Sequence, residues 1–207
     1  MSNKHSGATS YKETRFGILP RSKVIPLEIA GTKKGLLFLK DSAQKQEILT
    51  SELIKQLHKY CFSDILRSKA GKFRTIQVTY SRKEAPHFSK IPELMKVLCE
   101  DIEYAFKHLP DTANEYYIER VVELLARFQH RFVYIHPFVD YNGRIARIFT
   151  SFILMRLQLP IIEVPIQKRK DRTKYVQSLQ EADKGDHRLL EVIISRALNE
   201  SLEKLGT

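Results

Sequence analysis

FVYIHPFVDYNGRIARIF, residues Phe132 to Phe149, holds the end of one helix, a loop and the start of another. Pro137 disfavours the right-handed helical region at the residue before it, so the incoming helix stops at His136 and leaves that imidazole in a loop, available for chemistry. Asn142 and Gly143 open the next helix, whose first-turn N–H groups lack helical partners and form a ready anion site. Arg144 and Arg147 are three residues apart and share a face near that positive end, where a polyphosphate could receive bidentate hydrogen bonds. Asp140 alone would repel phosphate, but a divalent cation bridging the two converts repulsion into attraction. Singly, each residue also has a plain structural role: a loop histidine, an Asp and Asn that cap a helix, two solvated arginines.

The flanking segments read as helices. Apolar residues recur at helical spacing over about Ile91 to His108 and Ala113 to Val133 before the loop, and over Asn142 to Leu157, Asp171 to Ala182 and His187 to Leu205 after it. Further upstream, SAQKQEILTSELIKQLHKYCF puts Ile48, Leu49, Leu53, Ile54 and Leu57 on one helical face, with Ser42 as its N-cap. Between these, GKFRTIQVTYSRKEAPHF changes character: Phe73, Ile76, Val78 and Tyr80 alternate with polar residues, which predicts a short β-hairpin or extended flap. Gly17, Pro20 and Pro26 punctuate the chain up to about Glu28, which predicts an extended arm packing on the rest. The expected fold class is therefore all-α, with residues 1–41 as an arm and 42–207 as the main domain.

A chain of 207 residues suits one main core, and 43% hydrophobic content with 29% charge excludes a disordered chain. The best membrane-span candidate, Ile145 to Leu159, is broken by Arg147 and Arg156, and Met1 to Tyr11 is too polar for a secretory signal, so no membrane association and a cytoplasmic location are expected. Lys and Arg outnumber Asp and Glu by 35 to 24, a net charge of +11 that favours an anionic partner and leaves nucleotide, nucleic acid and acidic protein open. Cys61 and Cys99 make neither a disulfide framework nor a metal site and read as buried thiols. QKRKDRTKY, Gln167 to Tyr175, has clustered cations but no accompanying helix-turn-helix, aromatic platform or zinc spacing, which makes nucleic acid the lesser reading. His58, His87, His108, His130 and His187 are scattered and lack the spacing of a helical transition-metal site.

HPFVDYNGRIAR resembles the signature of the Fic (filamentation induced by cAMP, Fic/Doc) family, His-Pro-Phe-any-Asp or Glu-Gly-Asn-Gly-Arg-any-any-Arg, with Tyr141 the one departure among its specified positions. The helix ARFQHRFVYIHPF, the 73–80 segment and YVQSLQEADKGDHRLLEVI are similar to the family's motif helix, flap and later helix pair. The resemblance implies a compact mainly α Fic-type helical bundle with a β-hairpin flap, and transfer of AMP from ATP to a hydroxyl of an unknown target protein, with Mg²⁺ as cofactor and release of pyrophosphate. It implies that His136 is the general base, that Asp140 holds the metal, and that Asn142, Gly143, Arg144 and Arg147 bind the phosphates. Phe138 would anchor the loop in the core, and Tyr175 and Asp183 would contact base and ribose. A Fic-fold transferase of another phosphate-containing group, or a weakly active member, is the alternative.

Tyr141 stands where the family has a small residue; it is tolerated if its φ is negative and crowds the loop if φ is positive. Many relatives silence themselves with Ser/Thr-any-any-any-Glu-Gly/Asn, whose Glu pairs with the second motif arginine. Thr9 to Glu13 and Ser89 to Glu93 have the first spacing; Glu13, which precedes the core, is the candidate inhibitor of Arg147, and a separate antitoxin-like partner is the other route to inhibition.

Overall fold

The computed structural model describes residues 11–204 and is mainly helical, as the apolar periodicity predicts. A hairpin of β1 (Tyr11–Thr14) and β2 (Gly17–Pro20) leads into α1 (Arg21–Gln44), followed by α2 (Ser51–Leu66). A second small hairpin, β3 (Thr79–Tyr80) and β4 (Lys83–Glu84), precedes α3 (Ile91–Lys107), α4 (Tyr117–Ile135), α5 (Asn142–Arg156), α6 (Arg169–Ala182) and α7 (Arg188–Glu203). No helix among the described residues is long and apolar enough to cross a membrane.

The largest departure from the sequence expectation lies at the amino end. The chain is extended only to Pro20; α1 then runs through Pro26 and past residue 41, so Ser42 is buried near its end and is not an N-cap. Thr50 caps the next helix, its hydroxyl accepting from the Leu53 N–H at 3.1 Å. Gly31 and Gly35 resemble helix breakers in the sequence but are packing residues: α1 lies so close to α2 that a Cβ at Gly31 would come within 1.8 Å of the Cys61 carbonyl oxygen, and one at Gly35 within 2.3 Å of Cys61 Sγ. The sequence-predicted end of α7 at Leu205 and the first position of the Thr9 to Glu13 spacing lie outside the described residues.

α4 packs against α3, α5 and α7, and the resulting core is built on Phe128, Phe132, Phe149 and Phe152, with Phe62 of α2 and Phe138 of the loop. Such rings dominate core burial. The flap is mostly irregular: only residues 79–80 and 83–84 pair, through a turn at Ser81 and Arg82 with φ of 47° and 65°, the hairpin-compatible primed geometry. Buried Arg74 holds it to the site. Its Nε donates to the His136 carbonyl at 2.8 Å, its terminal nitrogens donate to Ile76 and Pro86, and its N–H donates to Pro137 at 2.9 Å.

Candidate active site

His136 ends α4 in the left-handed region, φ 51° and ψ 56°, a C-terminal cap whose N–H still donates to the Phe132 carbonyl at 3.1 Å. The Pro137 constraint excludes α geometry here, and the chain turns left-handed in place of extending. The ring is fixed by a hydrogen bond between Nδ1 and the Val133 carbonyl at 3.1 Å. A carbonyl only accepts, so Nδ1 carries the proton and Nε2 keeps its lone pair. Burial holds the imidazole's affinity for a second proton below the ordinary histidine value, partly offset by that bond. Tyr80 of the flap stacks on the ring, centroids 4.2 Å apart.

The loop beneath is pinned from several sides. Phe138 is fully buried and stacks on His58 at 3.8 Å. His58 accepts from the Gly71 N–H at Nδ1, leaving Nε2–H to face the Asp140 carbonyl at 3.3 Å, and burial lowers its pKa to about 4, so it is a neutral loop pin. Asn142 is buried, and its side chain is spent inside the loop: Oδ1 accepts from Phe138 N–H and Nδ2 donates to Phe138 carbonyl, both at 2.8 Å. The sequence assigns that side chain to phosphate; the structure shows it locking the loop while Asn142 also lines the cavity. Tyr141 adopts φ 63°, the case in which a large residue is strained, and three contacts offset this: a stack on Phe62 at 4.0 Å, a donated bond from its hydroxyl to Glu28 at 2.8 Å, and an accepted one from Lys12 at 2.9 Å.

A cavity of about 520 Å³ is lined by His136, Asp140, Asn142, Gly143, Arg144 and Arg147, together with Tyr175, Asp183 and the flap residues Tyr80 and Lys83. The N–H groups of Asn142 and Gly143, at the first two helical positions of α5, lack helical acceptors. Arg144 pairs with buried Glu28 at 3.1 Å. Burial lowers the pKa of Arg147, which has no ion pair among the described residues and sits 5.5 Å from the Tyr175 ring. Tyr175 donates its buried hydroxyl to Gln129 at 2.8 Å, which makes it support beneath Arg147 in place of the base contact assigned from the sequence. Asp183 lies at the cavity edge with its carboxylate engaged by Lys83 of the flap and by His130 at 3.0 Å.

Glu13 is not in this site. It points from β1 to Arg67 at 2.7 Å, with both side chains exposed, because the β1–β2 register turns it away from the face that carries Lys12. The acidic residue that does enter is Glu28, which receives Arg21 at 2.6 Å in addition to Arg144 and Tyr141. Burial would raise its pKa, but these three partners outweigh that and hold it below the ordinary carboxylate value. The signal available in the sequence was a charged residue amid the apolar run VIPLEIAG, four after Val24, which is buried on the same face of α1. No group of three or more His, Cys, Asp or Glu able to hold a metal occurs among the described residues. Asp140 is a single carboxylate facing the cavity, a donor set suited to a hard divalent ion that takes its other ligands from phosphate and water.

The Fic/DOC family model matches residues 48–154, more than half of the chain and all of this loop. The chain belongs to the Fic/DOC family. It is 28% identical over 194 residues to a protein adenylyltransferase Fic of Nematostella vectensis, covering 92% of this chain and 42% of that one, and 29% identical to its namesake in Drosophila virilis, covering 86% and 34%. It thus spans less than half the length of these curated relatives. Among solved structures, a Fic-1 fragment from C. elegans superposes with a TM-score of 0.66 at 26% identity, covering 86% of this chain and 49% of that one. A Fic domain containing signalling protein from Bacteroides thetaiotaomicron gives 0.71 at 25% identity, covering 85% and 69%. The Fic loop thus sits on a Fic-type helical frame.

Proposed function

We propose that this chain is a cytoplasmic protein adenylyltransferase that transfers AMP from ATP to a hydroxyl of another protein. The observation that carries this is one cavity containing an imidazole whose free lone pair lies beside a helix N-terminus and two arginines, Arg144 and Arg147, the second without an ion pair among the described residues. The names of the matched relatives support it. His136 Nε2 takes the proton of the incoming hydroxyl, whose oxygen bonds to the α-phosphorus as the bond to the bridging oxygen breaks and pyrophosphate leaves. Gly143 keeps the α5 entrance open to phosphate, and Arg144 and Arg147 neutralise charge on the oxygens. Mg²⁺, when bound at Asp140, supplies further charge neutralisation on the phosphates. The β1–β2 hairpin and α1 act as an arm on the catalytic part, with α1 presenting Glu28 to Arg144.

The test uses ATP labelled on its α- or its γ-phosphate, with Mg²⁺ and a cell lysate. Transfer of α-label without γ-label to protein is expected, and loss of at least about 10²-fold in His136→Ala with ATP binding retained. Transfer of γ-label would make this a phosphoryl transferase, the alternative that the Tyr141 departure keeps in view. Wild-type labelling by His136→Ala would remove the proposed base.

A further inference from the structure

Lys12 reaches from β1 to the carboxylate of Asp140, Nζ to Oδ2 at 2.5 Å, and also donates to the Tyr141 hydroxyl at 2.9 Å while lying 4.1 Å from the centre of that ring. The other Asp140 oxygen accepts from the Tyr141 N–H at 2.7 Å. Both oxygens of Asp140, the carboxylate just before the phosphate-binding helix entrance, are therefore engaged, one of them by a cation of the chain's own. Tyr141 extends the pattern: its hydroxyl accepts from Lys12 and donates to Glu28, which lies on Arg144. An internal positive charge thus lies on Asp140 and an internal negative charge on Arg144, joined by one hydroxyl in the arrangement of a cation with its phosphate.

An ammonium and a divalent cation cannot share one carboxylate oxygen, since at such separations their repulsion is strong and the oxygen's lone pairs are already committed. The hairpin that carries Lys12 is held by few buried contacts. Its other ion pairs to α2, Glu13 with Arg67 and Arg15 with Asp64, lie on the surface, where such pairs contribute little. Its large apolar residues Tyr11, Phe16 and Ile18 face outward, which leaves Leu19, the buried Thr14 and one backbone bond from Arg15 N–H to the Asp64 carbonyl at 3.0 Å as its other anchors.

We propose that Lys12 is an exchangeable counter-cation of Asp140, so that binding of a divalent cation with nucleotide displaces Lys12 and releases the β1–β2 hairpin. This rests on the nucleotide-transferase reading of the same cavity. Reciprocity follows from linkage: whatever removes Lys12 tightens the cation, and the cation loosens the hairpin.

The experiment titrates Mg²⁺ at fixed fluorescent ATP analogue against the wild-type chain and Lys12→Met, each also in a Glu28→Ala background that keeps Arg144 accessible, and follows tryptic cleavage after Arg15. The expected result is a roughly tenfold lower half-saturating Mg²⁺ in Lys12→Met, with Mg²⁺ and nucleotide together accelerating cleavage of the wild-type hairpin and changing that of Lys12→Met little. Equal Mg²⁺ dependence, or a hairpin equally protected with and without Mg²⁺ and nucleotide, overturns the exchange. Absence of nucleotide binding in all four proteins, with their helical content intact by circular dichroism, overturns the nucleotide reading itself and this inference with it.

Discussion

His136, the proposed general base, takes its tautomer and its neutral form from two neighbours that no spacing rule names. The Val133 carbonyl selects the tautomer, and burial beneath Tyr80 keeps the ring neutral. The sign for pH follows directly. A general base works unprotonated, and because burial lowers this pKa below 6.5, the acid limb of the activity profile should be centred below pH 6.5. A pH profile of kcat/KM for labelling checks this; an acid limb centred above 6.5 would mean that a different group titrates. Residue identity at 136, 140, 144 and 147 was legible because the motif is local. The diversion of Asn142 into the loop and of Tyr175 beneath Arg147 was not, since a side chain's polar atoms go to whichever partner the fold brings within about 3 Å.

At the scale of elements, α1 and α2 show where sequence rules conflict. Gly31, Gly35 and Pro26 argue against a helix, yet tertiary packing overrides the propensity penalty. The two glycines let the helix backbones approach so closely that Gly31→Ala should destabilise the protein. Alanine gains about 1 kcal/mol of helix propensity, but a methyl group 1.8 Å from a backbone carbonyl oxygen forces a shift costing about 3 kcal/mol, leaving a net loss of about 2 kcal/mol. Urea denaturation checks the sign; a stabilised variant would show that α1 moves off α2 without cost. The flap follows the same logic, since its strand-like residues 73–78 are held by Arg74 donating to carbonyls of the loop and of the flap itself, and only four residues pair as strands.

The whole molecule brings its amino-terminal part across the motif. Glu28 lies on Arg144, the side chain proposed to meet the outer phosphates, and Arg21, Arg144 and the Tyr141 hydroxyl stabilise it there. Glu28→Ala should therefore tighten ATP by about tenfold, equivalent to about 1.4 kcal/mol, and leave AMP nearly unchanged, because AMP has no β- or γ-phosphate to compete. Calorimetric titration of both nucleotides checks this, and an equal gain for AMP would place the competition at the α-phosphate. Helical class, the positions of α3 to α7 and the motif residues were determined by the sequence itself, because periodicity, proline placement and a contiguous motif act over a few residues. Only the tertiary structure decided that residues 21–44 form one helix, that Glu28 and not Glu13 meets a motif arginine, Arg144, and that Lys12 sits on Asp140. Those contacts join positions more than a hundred residues apart, and their energies exist only once the core has set the two segments side by side.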